Sequence, residues 1–348
     1  MSLNNFDFDL PEELIARHPL AKRDSSRMLY YNSQSQTLKH LQFPNLVDIL
    51  HSGDVLVRNC SRVLPARLYP HIYKEGKLSE KSVEILLTKY LEEGSWEIIA
   101  KPAKKLKDQT KLRFSETDDS EITVTRSEDH TLTVTFNSDD DFKNIVEKYG
   151  NMPIPPYFKR LANENDKKRY QTVYASNLKT AASIAAPTAG LHFTPEVIQR
   201  IKDKGVEIVD LELHVGLGTF APIRTNDYKA HNMHSEEYTI EDASWQKITA
   251  AKKEGRRIVA VGSTSVRCLE SIAVTGELTG ATDIYIYPGG FEFKVVDAML
   301  TNFHLPKSSL ILMIAALIGE QGFKTVYQAA IKEKYRFYSY GDCCFFER

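Results

Sequence analysis

Four cysteines in 348 residues, Cys60, Cys268, Cys343 and Cys344, form no CxxC pair and follow no regular spacing. That argues against a disulfide framework and a thiolate zinc site, and a reducing cytoplasm is the setting it fits. Neither sign of charge is in excess, the formal net charge being −1, so any polyanion must be met by a local patch. No long apolar run occurs: the stretch from Leu310 to Ile318 is about half what a bilayer span needs, and it reads as a buried helix. The N-terminal MSLNNFDFDLPEEL lacks a basic region followed by an apolar one, so neither a secretory signal nor membrane attachment is expected. There is no GxxxxGK[ST] loop and no HExxH pair. The remaining picture is an ordinary globular chain, 42% hydrophobic, with room for one large domain and a smaller one.

Along the chain, GDVLVRNCSRVLPARL (53–68) begins as a strand and ends in a Pro-containing turn. The next eighty or so residues change character. VEILLTKY, WEIIAK, KLRF, EITVTRS and TLTVTF are short, β-branched or aromatic, and partly alternating, which predicts a compact all-β module. A helix over 140–148 ends at Gly150, and the proline-rich MPIPPYFKR marks a crossing back. From about residue 185 helices and strands alternate. Helices are expected over EVIQRIKDK, ASWQKITAAKKEG, TSVRCLESIA, SLILMIAALIG and KTVYQAAIKEKY, and strands over VEIVDLELHV, RRIVAVGS, DIYIYPGG, EFKVVDAML and YRFYSYGDCCFF. The expected architecture is an α/β main domain, a mixed sheet or barrel with flanking helices, built from residues 1–68 and 151–348. Residues 69–150 would be an inserted small all-β, barrel-like domain.

Five polar segments carry reactive side chains beside small residues at the ends of hydrophobic runs: PTAGLHF (187–193), LHVGLGTF (213–220), HNMHSE (231–236), GSTSVR (262–267) and TNFH (301–304). Binding and catalytic groups concentrate in such places. His192, His214, His231, His234 and His304 all fall there, half of the ten histidines. Gly262, Ser263 and Thr264 at a strand-to-helix junction suit either an anion or a plain helix cap. His231 and His234 with Glu236 have the spacing of metal ligands but lack a third partner, so no metal is expected. Asp297, Asn302 and His304 flank one strand and could supply a base with orienting hydrogen bonds, or simply turn residues. Lysines and arginines cluster at 101–107 and 159–169, as a solvated face or as contacts to phosphate.

Taken together, NCSRVLPARL (59–68), AAPTAGLHFT (185–194), LHVGLGTFAPI (213–223), HNMHSEEY (231–238), VGSTSVRCLES (261–271), FKVVDAMLTNFHLPKSSL (293–310) and YRFYSYGDCCFF (335–346) resemble the S-adenosylmethionine:tRNA ribosyltransferase-isomerase family of queuosine biosynthesis. The resemblance runs in order from DFDLPEELIARHPL to the last strand and is weakest over 69–150. Two positions depart from the family pattern. Cys60 stands where an aspartate is usual, and Ala182 where a glycine precedes the serine at 183.

The resemblance implies a transferase that moves and isomerises the ribosyl part of S-adenosylmethionine onto 7-aminomethyl-7-deazaguanine at the tRNA wobble position. Epoxyqueuosine forms, adenine and methionine leave, and tRNAs with a GUN anticodon are the expected substrates. Such chemistry needs a base for a proton acidified by the sulfonium, an acid for departing adenine, and exclusion of water. The candidates are His192, His214, His234, Glu236, Asp297 and His304 for catalysis. For substrate binding they are Asn59, Arg62, Arg67, Phe193, Gly216, Phe220, Ser263, Thr264, Arg267, Asn302 and Phe303. Contacts to tRNA fall to Lys104, Lys105, Lys107, Tyr157, Lys159, Arg160, Lys167, Lys168 and Arg169. No cofactor beyond S-adenosylmethionine is expected. A metal-dependent hydrolase using His231 and His234, and an RNA-binding protein without catalysis, are the competing readings.

Overall fold

The computed structural model describes residues 3–92, 94–176, 183–216, 223 and 227–348. Three strands precede the β-rich region: β1 (Arg27–Asn32), β2 (Thr37–Gln42) and β3 (Val55–Asn59). Eight more follow: β4 (Arg67–Leu68), β5 (His71–Lys74), β6 (Lys77–Ser82), β7 (Glu84–Tyr90), β8 (Ser95–Lys101), β9 (Thr110–Arg113), β10 (Glu121–Arg126) and β11 (Leu132–Thr135). The last six are β12 (Glu207–Leu213), β13 (Glu236–Thr239), β14 (Ile258–Val261), β15 (Thr279–Thr282), β16 (Ala298–Asn302) and β17 (Cys343–Glu347).

Strands β4 to β11 make one antiparallel sheet in the order β4-β7-β8-β11-β10-β9-β5-β6, and the others a mixed sheet in the order β15-β13-β12-β3-β14-β16-β17-β1-β2. The burial patterns explain the split. β3, β14 and β16 are buried at every position, as parallel strands covered on both faces must be. β10 and β8 alternate buried with exposed residues, so one face packs and the other meets water. Trp96, Leu112, Ile122, Val124 and Phe136 fill the packed face, together with Ile184 from the segment leading into the PTAGLHF motif.

The α-helices among the described residues are α1 (Leu46–Ile49), α2 (Asp139–Tyr149), α3 (Glu164–Arg169), α4 (Pro195–Asp203), α5 (Asp242–Lys253), α6 (Ser263–Thr275) and α7 (Ser309–Lys332). Side chains cap the starts of some of them: Ser138 Oγ accepts from Asp141 N ahead of α2, and Thr194 Oγ1 from Val197 N ahead of α4. α7 comprises the two expected helices, separated by a kink at Gly319, whose φ of 79° breaks the helical path. It has the length and apolarity of a membrane span, yet most of it is buried inside the protein.

Three expected strands change on folding. DIYIYPGG and the start of EFKVVDAML are irregular, and only Ala298–Asn302 joins the sheet. The fully buried Glu270 carboxylate accepts from the backbone N–H groups of Lys294, Val295 and Val296, so these donors need no neighbouring strand. Likewise Tyr335 to Asp342 form a loop rather than strand. The buried Asp342 carboxylate accepts from Arg27 N and Arg336 N, and extended pairing starts only at Cys343. The hairpin β1–β2 was not foreseen; its second strand is largely exposed and carries little apolar signal.

The segment that leaves the antiparallel sheet pairs with it once more, Asn151 with Arg67 of β4, and a Lys89–Glu237 ion pair of 3.8 Å bridges the two sheets. At this crossing Gly150 lies so close to Val146 O and Pro65 O that an added Cβ would overlap both. Backbone atoms cannot swing aside as a side chain does, so Gly150→Ala is expected to lower stability by roughly 1–3 kcal/mol. Urea unfolding monitored by Trp fluorescence checks this, an unchanged midpoint being the contrary result.

Candidate functional site

The site grows from the aligned ends of two parallel strands. Val261 of β14 lies in register with Leu300 of β16, and Gly262 N donates to Leu300 O at 2.7 Å. Gly262 has φ 85°, a left-handed conformation that turns the chain directly into α6. β16 runs on to Asn302, passes His304, and reaches Ser308, the N-cap of α7. Two helix N-termini therefore face the space beyond these strand ends, where open α/β sheets take their ligands. The turn Thr188–His192 forms one wall, while Tyr157 with Tyr338 and Ser339 form another. The cleft is a concave, largely apolar space with a few hydroxyl and amide groups on its walls, the usual make-up of a small-molecule site. None of its described lining residues is Asp, Glu, Lys or Arg.

His192 lies behind this wall, not in it. Its Nε2 is 3.2 Å from Asn302 Nδ2, which can only donate, and its Nδ1 is 2.7 Å from Ser26 Oγ. The ring therefore carries its proton on Nδ1 and is uncharged. Burial, reinforced by the charges of Arg336 and Arg23, pushes its pKa down to about 3. Asn302 Nδ2 also donates to Tyr338 O at 3.1 Å, so both acceptors orient the amide the same way. Its Oδ1 is buried with no partner.

His304 does line the cleft, with Nε2 2.8 Å from Thr301 Oγ1, and burial lowers its pKa to about 3 as well. His214 sits beside the cleft-lining Val215. Burial shifts its pKa downward against the opposing pull of Glu212 and Glu237, and its Nδ1 is unpartnered. Glu236 and Arg267 form a buried ion pair, and Glu236 Oε1 accepts from Gly216 N at 2.8 Å. Arg267 also donates to His234 O and Thr282 O. The HNMHSE, LHVG and GSTSVR segments are thereby tied together, Ser263, Thr264 and Arg267 bordering a second, smaller cavity behind the cleft.

Other candidates go elsewhere. The His234 side chain is exposed. Asp297 is at the opposite edge of the sheet, at the start of β16, where it accepts from Ile258 N and pairs with Lys252. Phe193 is fully buried on Phe43, ring centroids 5.0 Å apart, and Phe303 on Phe337 at the same spacing. Both are core residues, because the strand and turn that carry them point these rings inward. Asn59 ties β3 to β12, donating to Leu213 O and accepting from Leu213 N and Ser61 N. Arg62 donates to Ser176 O, and Arg67 pairs with Glu84. Phe220 lies outside the described residues. Burial first, then Asp210 and Glu212, push the Cys60 thiol up to about 12, so this position is uncharged here.

Of the basic candidates, Lys104, Lys105, Lys107 and Lys168 are exposed. Lys159 pairs with Glu12, Lys167 with Glu164, and Arg160 makes two bonds to buried Asp166. Arg169 donates to Leu20 O and Ala21 O, fastening the N-terminal segment. Arg160 and Arg169 are therefore spent within the fold. Tyr157 stacks on Tyr338 at 4.4 Å with 22° between planes. Tyr338 escaped the sequence reading, and its backbone φ of 72°, rare for an aromatic residue, leaves no trace in the residue type.

Two sheets, and a cleft under two helix N-termini with no charged side chain among its described lining residues, define an α/β enzyme with a small-molecule site and an appended β unit. The chain belongs to the family described as queuosine biosynthesis protein, whose model matches residues 3–346. It is 45% identical over 345 residues to a protein of Thermotoga petrophila named S-adenosylmethionine:tRNA ribosyltransferase-isomerase, covering 98% of each chain. It is equally similar to a namesake in Desulfitobacterium hafniense, over 352 residues and 98% of each. A crystal structure of the S-adenosylmethionine tRNA ribosyltransferase of Thermotoga maritima aligns with TM-score 0.56 at 36% identity, over 98% of this chain and 99% of that one.

The neutral His192 has a measurable consequence. Below its ordinary value of 6.5 the unfolded chain takes up a proton that the folded chain refuses until about pH 3. Stability should therefore fall with pH across that window by about 1.4 kcal/mol per unit from this group. Urea unfolding at pH 7 and pH 5 should show the loss, and His192→Gln should flatten the slope; equal slopes would contradict it.

Proposed function

We infer that this chain catalyses the reaction its relatives are named for, transfer and isomerisation of the ribosyl part of S-adenosylmethionine onto tRNA. The observation that carries the reading is the cleft itself. AAPTAGLHFT, VGSTSVRCLES, FKVVDAMLTNFHLPKSSL and YRFYSYGDCCFF, far apart in sequence, all line one space. In finer detail, the acceptor is 7-aminomethyl-7-deazaguanine at the wobble position of a GUN anticodon, and epoxyqueuosine-tRNA, adenine and methionine are the products.

The donor is a sulfonium, and the lining suits it in two ways. The aromatic rings of Tyr157 and Tyr338, stacked on each other in one wall, can attract a cation without a carboxylate. Burial keeps His192 and His304 uncharged, so neither repels it. Among the described candidates, His304 is the histidine that touches the cleft, and we assign it direct contact with the reacting ribosyl group. His192, Glu236 and Arg267 act through the groups they hold. Nothing in this reading calls for a metal.

Purified chain incubated with S-adenosylmethionine and precursor tRNA should release adenine only when both are present, as chromatography would register. Absence of release with a wild-type chain would overturn the assignment. His304→Ala should lower turnover by roughly two to four orders of magnitude while leaving the unfolding midpoint near wild type, and undiminished turnover would remove His304 from the chemistry. Full activity after exhaustive chelation is expected, whereas activity restored by one divalent ion would favour a metal enzyme.

We further propose residues 69–150 as a unit that helps seat tRNA, the RNA lying across its junction with the α/β part. Neutralising Lys104, Lys105 and Lys107 together, or Lys167 and Lys168, should weaken tRNA binding and spare S-adenosylmethionine. For the triple variant the slope of log affinity against log salt should shrink by roughly two to three. Wild-type tRNA affinity in both variants over a range of salt would place the docking surface elsewhere.

A further inference from the structure

The N-terminus of α6 differs from those of α2, α4 and α7. Those helices are capped by the side chains of Ser138, Thr194 and Ser308. α6 has Gly262 at its cap, no side-chain cap and no acidic residue in its first turn. Ser265, the one hydroxyl well placed to turn back, donates to Val261 O instead. The leading N–H groups of a 13-residue helix therefore point unopposed at the cleft. A second observation marks the same place. Thr264 is 5% exposed, its Oγ1 has no partner, and it lines the cleft.

Beside it lies an orphan of opposite character. Asn302 is 1% exposed, and its Nδ2 is committed to His192 and Tyr338 O, which leaves Oδ1 as a buried acceptor without a donor. Because β14 and β16 are parallel neighbours in register, the first turn of α6 and Asn302 emerge side by side. A buried polar atom without a partner costs about 1–3 kcal/mol, and two at one strand-end edge are satisfied together by one ligand bearing an anion next to an N–H donor. An α-amino acid has that arrangement. Its zwitterion carries no net charge, which matches a lining with no charged side chain among its described residues.

We propose that the methionine end of S-adenosylmethionine is held across the ends of β14 and β16, its carboxylate on the α6 N-terminus and Thr264 Oγ1, its ammonium on Asn302 Oδ1. This rests on the donor reading above. His192 is then a positioning residue, since its unprotonated Nε2 holds the amide with Oδ1 toward the ligand. Thr264 and Asn302 contact the part of the donor that leaves as methionine rather than the part transferred.

Calorimetry with three probes tests the assignment: S-adenosylmethionine, its decarboxylated analogue, and an analogue with hydrogen in place of the α-amine. Wild type should prefer the first. Thr264→Val should weaken S-adenosylmethionine roughly tenfold or more and leave the decarboxylated compound unchanged, with Thr264→Ser restoring the preference. Asn302→Leu should weaken S-adenosylmethionine and spare the deaminated analogue. Uniform weakening of all probes by both variants, or wild-type discrimination in both, would overturn the assignment alone. Failure of wild type to bind any of the three would overturn the donor reading and this assignment with it.

Discussion

The parallel register of β3, β14 and β16 is the constraint from which the rest follows. It brings the C-terminal ends of three buried strands to one edge, and every chain segment leaving that edge must turn within a few residues. At Gly262 the turn is sharp enough to need a left-handed backbone, so α6 starts with its amide groups aimed over the strand ends. After β16 the chain goes over the same edge to start α7. The cleft is thus a product of sheet pairing, and the loops that wall it are held by side chains reaching in from behind.

Those holding contacts share one device, a buried polar group that satisfies backbone from another segment. Asn59 joins β3 to the end of β12, and Ser183 Oγ accepts from Val215 N. Glu236 receives Gly216 N while bound to Arg267, and Asn302 reaches Tyr338 O while bound to His192. A buried charge without its partner is costly, so such pairs specify one arrangement of the loops even where they add little net stability. The same accounting applies behind the cleft, where Arg267 is neutralised by Glu236, and no charged side chain is among the described lining residues. Histidines close to the space are kept neutral by burial. A cleft of dipoles and aromatic faces remains, suited to a ligand that brings its own positive charge.

Much of this was written into the chain. Alternation of period two marked the strands from Val83 to Phe136 because one face of an antiparallel sheet meets water, and the apolar IVAV run fits β14 because parallel strands are covered on both sides. Ser138 and Thr194 cap their helices through a local bond that does not depend on the rest of the fold. Motif segments carried the resemblance to the family and singled out GSTSVR, TNFH and PTAGLHF as places for binding or catalytic groups. What residue type alone could not decide was which atom of each motif faces the ligand. His192 and Phe193 turn away while Thr188 and Ala189 line the space, and Asp297, immediately before the strand that ends at Asn302, lies at the far edge. Tyr338 became a wall only because the loop closed by Asp342 bends it there. Sequence determined the elements, since hydrophobic period and caps act over a few residues. Only the tertiary structure decided the site, because orientation at a strand end and the protonation of a buried ring depend on partners more than a hundred residues away.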